Sequence, residues 1–116
     1  DVKLIMAVIQ PTKLKAVREA LAKIEVERLT VLDAQGYARQ LGRQAHYRGS
    51  EYQTNLLRKI VLEIAVNDDF LEKTLDALIH VARTGAEGNI GDGKIFVLPL
   101  DECCQIGGGT RGKGAI

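Results

Sequence analysis

The chain has 116 residues, 46% of them hydrophobic and 27% charged, and a formal net charge of +1. That is the size of one domain with its own core and the balance of an ordinary soluble globular protein. Near-neutrality gives no electrostatic case for nucleic acid as a partner, and no apolar run reaches the ~20 residues that cross a bilayer.

Residues 2–9 (VKLIMAVI) are nearly all apolar and rich in branched side chains, as in a central strand buried on both faces. The opening residues read as structural rather than as a secretory leader, so a cytoplasmic protein without membrane insertion is expected. Pro11 suits the start of a helix whose stripe is Leu14, Val17, Leu21 and Ile24, with Lys13, Lys15, Arg18 and Glu19 on the wet side. A second strand is expected over 28–35 (RLTVLDAQ), ending at Gly36. A third, 59–66 (KIVLEIAV), alternates Ile60, Leu62, Ile64 and Val66 against Val61, Glu63 and Ala65. Asn67 or Asp68 caps a second helix with the stripe Leu71, Leu75, Leu78 and Ala82, and Gly85 suits the position just past its end. A glycine-rich link, 85–93, leads to a fourth strand, 94–98 (KIFVL), which Pro99 limits. The tail from Gly107, GGGTRGKGAI, is expected to be mobile unless a ligand or subunit orders it. Cys103 and Cys104 are adjacent, cannot staple the fold, and read as reduced thiols. His46 and His80 read as surface residues without metal-site spacing.

Between the second and third strands lies 36–59, GYARQLGRQAHYRGSEYQTNLLRK, too long and polar for a hairpin turn. Its middle, YRGSEY, holds two of the three tyrosines. Functional loops dominate such excursions, so this is expected to be a presented arm. The order βαββαβ is the α+β, ferredoxin-like sandwich with a long loop between strands 2 and 3. Two helices cover one face of a four-stranded sheet, yet both faces are apolar, and self-association is the economical way to bury the second.

The hexapeptide YRGSEY in the arm, GDGKIFV (91–97) opening the fourth strand, and a glycine-rich tail ending Gly-Ala-Ile together resemble the PII family of nitrogen-regulatory signal-transduction proteins. The resemblance runs from about Lys3 to Ile116 and implies a single domain, 1–116, with a flexible T-loop at about 37–55, a B-loop at about 84–93 and a C-terminal tail at about 103–116. It also implies a homotrimer without catalytic turnover, adenine nucleotides in clefts between subunits, and 2-oxoglutarate beside Mg-ATP. The T-loop would dock on ammonium transporters, metabolic enzymes or transcription regulators. By position, the nucleotide cleft maps to Val8, Thr30, Gly36, Tyr37, Ala38, Arg39, Gln40, Glu63, Thr84, Gly91, Asp92, Gly93 and Lys94. Gln40 and Lys59 match the residues for the 2-oxoacid and its magnesium. Tyr52 matches a tyrosine uridylylated in one branch, and Ser50 a serine phosphorylated in another.

The residues themselves carry part of this. Gly85, Gly88, Gly91 and Gly93 let backbone N–H groups face an anion, and Lys94 adds a point charge, although glycine also punctuates ordinary connectors. Taken alone, Lys59 reads equally as an exposed strand-end lysine and Gln40 as a solvated loop residue. Glu63 within an apolar strand needs a partner if it faces a cleft.

The chain departs from the family pattern at the phosphates. Gln105-Ile106-Gly107 stands where typical members carry Arg-Ile-Arg, Ala38 stands at a usual glycine, and extra residues separate Thr84 from Gly91. Arg111 and Lys113 reach the phosphates only if the tail folds back. The expected ligand is therefore ADP or AMP, with ATP a further candidate, Mg only with ATP, and either 2-oxoglutarate or bicarbonate as the accompanying anion. An alternative is a PII-like regulator of inorganic-carbon uptake acting on a bicarbonate transporter. A second is a slow nucleotide hydrolase, which needs an acid/base pair beyond Asp92 and Lys94. A metal held by Cys103 and Cys104 is a third; no metal site is expected from the protein alone.

Overall fold

The central strand, β1 (Val2–Ile9), lies between β3 (Tyr52–Asn67) and β4 (Gly93–Pro99) in a sheet ordered β2-β3-β1-β4, where β2 is Thr30–Leu41. In this computed structural model the described residues are 1–41 and 52–116, with side chains described for 1–37 and 55–116. All three strand pairs are antiparallel. A 3-10 turn, Pro11–Lys13, leads into α1 (Leu14–Lys23), and α2 is Asp68–Ala82. This is the ferredoxin-like α+β arrangement expected from the strand and helix order.

The register explains the core. Ile5, Ala7 and Ile9 stand opposite Ile64, Leu62 and Ile60, so one face of the two central strands is a continuous apolar layer. Val17 and Leu21 of α1 and Leu78 of α2 close over it, and all are buried. Each such side chain contributes roughly 1.5–3 kcal/mol through burial. The opposite face carries Leu4, Met6 and Val8 of β1 in register with Ala65, Glu63 and Val61, and with Leu98, Phe96 and Lys94. Among the described residues no element covers it, and Phe96 is half exposed.

The helix ends follow expectation only in part. Asn67 is the N-cap of α2 but makes no side-chain cap bond, and Asp68 and Asp69 complement the N-terminal dipole instead. The most deeply buried residues of α2 are Thr74 and Leu78; Thr74 is tolerated because its hydroxyl donates to Phe70 O at 2.6 Å. Gly85 is not the residue after the helix. Arg83, already extended, is the C-cap, and Gly85 serves the following turn. After α1, Glu25 holds the left-handed position (φ 66) of a Schellman cap, with Val26 N–H on Leu21 O.

Two segments carry regular hydrogen-bonded structure where their composition gave no sign of it. The β2–β3 ladder continues from Ala34↔Lys59 to Leu41↔Tyr52, well into the stretch read as an arm. Pairing of β1 with β3 stops at Ile9↔Ile60, so beyond that rung β2 and β3 form a two-stranded ribbon roughly 25 Å long. His46, Tyr47 and Ser50 lie outside the described residues, as does everything from 42 to 51. The tail folds on itself: Gln105 N–H donates to Thr110 O and Gly112 N–H to Cys103 O, both at 2.8 Å. Cys103 and Cys104 are free thiols.

Candidate functional site

The α2–β4 connection is built around one carboxylate. Asp92 Oδ1 accepts from Gln10 Nε2 (2.8 Å) and the Thr84 hydroxyl (2.6 Å), while Oδ2 accepts the backbone N–H groups of Thr84 (3.0 Å) and Asn89 (2.7 Å). Partial burial works to raise the Asp92 carboxyl, but the bonds from Thr84 and Asn89, with Lys13 nearby, prevail and hold it at about 2 instead of 3.8. The loop is thereby tied to both ends of its own span and to the end of β1.

Two further contacts fix it. Lys59, only 8% exposed, runs beneath the loop and donates from Nζ to Gly91 O at 2.6 Å. Lys13 Nζ donates to Arg83 O at 3.3 Å, offsetting the negative end of α2. Gly93 cannot be replaced without movement, since a Cβ there would lie 1.8 Å from Val8 O, and its φ is +113°. Bounded by this loop, the end of α2 and the β1–β4 edge is an open cleft of about 630 Å³, within the size range of small-molecule sites. Ile9, Leu78, Ile79 and Ile95 give it an apolar wall, and Arg83, Glu87, Asn89 and Lys94 a polar one.

The site residues expected from the sequence fall into four places. Val8, Asp92, Gly93 and Lys94 line the cleft, and Thr84 and Gly91 belong to its loop. Thr30 and Glu63 are paired on the uncovered sheet face, on the rung of Met6. Gly36, Tyr37, Ala38, Arg39 and Gln40 lie along the ribbon, opposite Leu57, Leu56, Asn55, Thr54 and Gln53. The rungs of Lys59 and Gln40 are six residues apart, roughly 20 Å along the strands, so the two are not brought together. Lys59 is also no strand-end residue, since β3 begins at Tyr52. Arg111 and Lys113 sit at the opposite end of the sheet, paired with Glu102 (2.9 Å) and Asp69 (3.6 Å). Among the described residues no group of three or more His, Cys, Asp or Glu is placed to hold a metal.

Comparison with known proteins decides the family. The family description "Nitrogen regulatory protein P-II" matches residues 2–110. This chain belongs to the P-II family. The nitrogen regulatory protein GlnK1 of Methanosarcina mazei is 49% identical over 98% of this chain and 97% of its own length. Escherichia coli GlnK is 41% identical over 98% and 99%. Among solved structures, Bacillus subtilis GlnK superposes with a TM-score of 0.78 at 27% identity over 99% of this chain and 98% of that one. Arabidopsis thaliana PII bound to citrate gives 0.76 at 32% identity over 98% and 88%. The chain is thus a nitrogen-regulatory signal-transduction protein of the P-II type, whose relatives are named as regulators. No helix among its described residues is long and apolar enough to cross a membrane.

Three residues that hold or line this P-II loop gave no signal in sequence. Gln10 is 82 positions from Asp92, Lys13 is 70 from Arg83, and Arg83 read as the last turn of a helix. Only the fold makes them neighbours.

Proposed function

We propose that this P-II protein is a regulator without turnover that binds an adenine nucleotide at the 85–93 loop and signals through the β2–β3 arm. The observation that carries the reading is the loop itself: a glycine-rich backbone pinned by Asp92 beside a cleft that Lys94 lines. Such a backbone with a cation beside it is chemistry for a phosphate. The same geometry argues against hydrolysis. Asp92 has its oxygens engaged by four donors and a carboxyl held at about 2, so it is a poor base near neutrality.

ADP or AMP is the proposed ligand in preference to ATP. Arg111 and Lys113 pair with Glu102 and Asp69 at the end of the sheet away from this chain's own cleft, which favours a ligand that needs no tail cation at an outer phosphate. Mg enters only with ATP. The separation of Gln40 from Lys59, and the use of Lys59 by Gly91 O, disfavours a strong 2-oxoglutarate response. The protein acts in the cytoplasm as a homotrimer, burying the apolar face around Met6 and Phe96, and its partner is an ammonium transporter or a metabolic enzyme. Titration calorimetry with ADP, AMP and ATP, with and without Mg and 2-oxoglutarate, tests the ligand assignment. Tight Mg-ATP binding strengthened by 2-oxoglutarate refutes it, and a response to bicarbonate instead transfers the protein to inorganic-carbon control with a bicarbonate transporter as partner.

A further inference from the structure

The cleft offers a cation that the tail does not. Arg83 leaves the end of α2 and is laid along the extra residues between Thr84 and Gly91, with Nη1 donating to Ala86 O at 3.2 Å. Its stem packs on Gly88, where an added Cβ would sit 3.3 Å from Arg83 Cγ and 3.1 Å from Asp92 Oδ2. Arg83 makes no ion pair among the described residues, and it lines the same cleft as Lys94. The carboxylates nearby are Glu87, on the same wall, and Asp92, whose charge is already met by Thr84, Asn89 and Gln10. Lys13 and Lys59 add positive charge behind the loop.

We propose that Arg83 is the residue by which this cleft distinguishes a nucleoside diphosphate from a monophosphate. The inference rests on the nucleotide reading above and adds the charge that sets its selectivity. Lys94 is a point charge with three rotatable donors and no planar fork to fix the position of a second phosphate. A guanidinium on the same cleft supplies a planar fork for the next phosphate, with two parallel N–H donors matched to its oxygens. The insertion does the positioning. Its turn at Gly88 makes room for the arginine stem, and the Ala86 carbonyl accepts from one guanidinium nitrogen, which biases the exposed side chain toward the loop.

Calorimetry on the full chain tests this with ADP and AMP as probes, using the wild type, Arg83→Gln, Arg83→Lys and a doubly substituted tail, Arg111→Ala with Lys113→Ala. The wild type should bind ADP about tenfold or more tighter than AMP, the return on one charge-assisted contact. Arg83→Gln should bring ADP to the affinity of AMP while leaving AMP within about twofold. Arg83→Lys, which keeps the charge and loses the fork, should retain part of the preference, and the tail variant should retain all of it. An unchanged ADP/AMP ratio in Arg83→Gln overturns the proposal, as does an equal loss of both ligands, which would mark a structural role. A ratio that collapses in the tail variant also overturns it. If the wild type binds neither nucleotide, the nucleotide reading itself fails and this inference with it; if it binds both and Arg83 is indifferent, only this inference falls.

Discussion

Replacing Asp92 by Asn removes one charge and reverses one end of the side chain. Oδ1 can still accept from Gln10 and Thr84, but an NH2 group now faces the N–H groups of Thr84 and Asn89, donor against donor. Holding the carboxyl at about 2 rather than 3.8 corresponds to at most roughly 2.4 kcal/mol, at ~1.36 kcal/mol per tenfold in proton affinity. The group is part-exposed, and screening by solvent brings the expected contribution to about 1–2 kcal/mol. Because the folded value is lowered, this stability is present above the unfolded value near 4 and is lost as pH falls from there through about 2. Urea unfolding of wild type and Asp92→Asn at pH 7 should differ by about 1–2 kcal/mol, and the difference should shrink toward pH 2.5. Amide exchange in 85–93 should accelerate by roughly tenfold in the variant. A difference that is equally large at pH 2.5 and pH 7, or absent at both, would refute the argument that the carboxylate organises the loop.

Three other outcomes follow from features of the fold. Gly93→Ala must displace β1 or the loop, since its Cβ meets Val8 O, and should cost on the order of 3 kcal/mol or more by thermal unfolding; a loss below 1 kcal/mol contradicts the close approach. Glu25→Gly relieves a left-handed residue at the Schellman cap and should stabilise by about 0.5 kcal/mol net of glycine's added chain entropy, whereas a drop in midpoint shows that Glu25 is not strained. Light scattering should give a trimer mass for the wild type and a monomer mass for Phe96→Asp, which puts a charge on the uncovered face. A monomeric wild type at micromolar concentration would remove the self-association argument.

The parts of the fold that were legible in the sequence are those set by local periodicity. The continuous apolar run of β1 and the alternation around Ile60, Leu62 and Ile64 are visible because burial imposes them one residue at a time. Thr74 was missed because its polarity hides a core position that its bond to Phe70 O makes tolerable. The ribbon was missed because its described side chains show no buried face that would select an apolar pattern: Tyr37 and Leu56 lie opposite each other and are both exposed. Lys59 could be read, taken alone, as an exposed strand-end lysine, yet it is buried and carries Nζ to a carbonyl 32 positions away. In the site, the glycines and Lys94 could be read directly, whereas Gln10 and Arg83 matter only through partners that the fold delivers.

The ribbon also determines what can be exchanged in this molecule. Among the described residues every buried apolar side chain of the core belongs to β1, to α1 and the turn after it, to α2, or to β3 from Ile60 onward. Among the described residues between Ala34 and Arg58 the chain adds none, so replacing those positions removes no buried apolar group of the core. The rung Gln35↔Arg58 is therefore a natural splice point, since it leaves Lys59 in place beneath the 85–93 loop. An arm cut from one relative and grafted there onto another would leave every described core position of its host in place, so the sequence of that span can vary while the fold beneath it stays under separate selection.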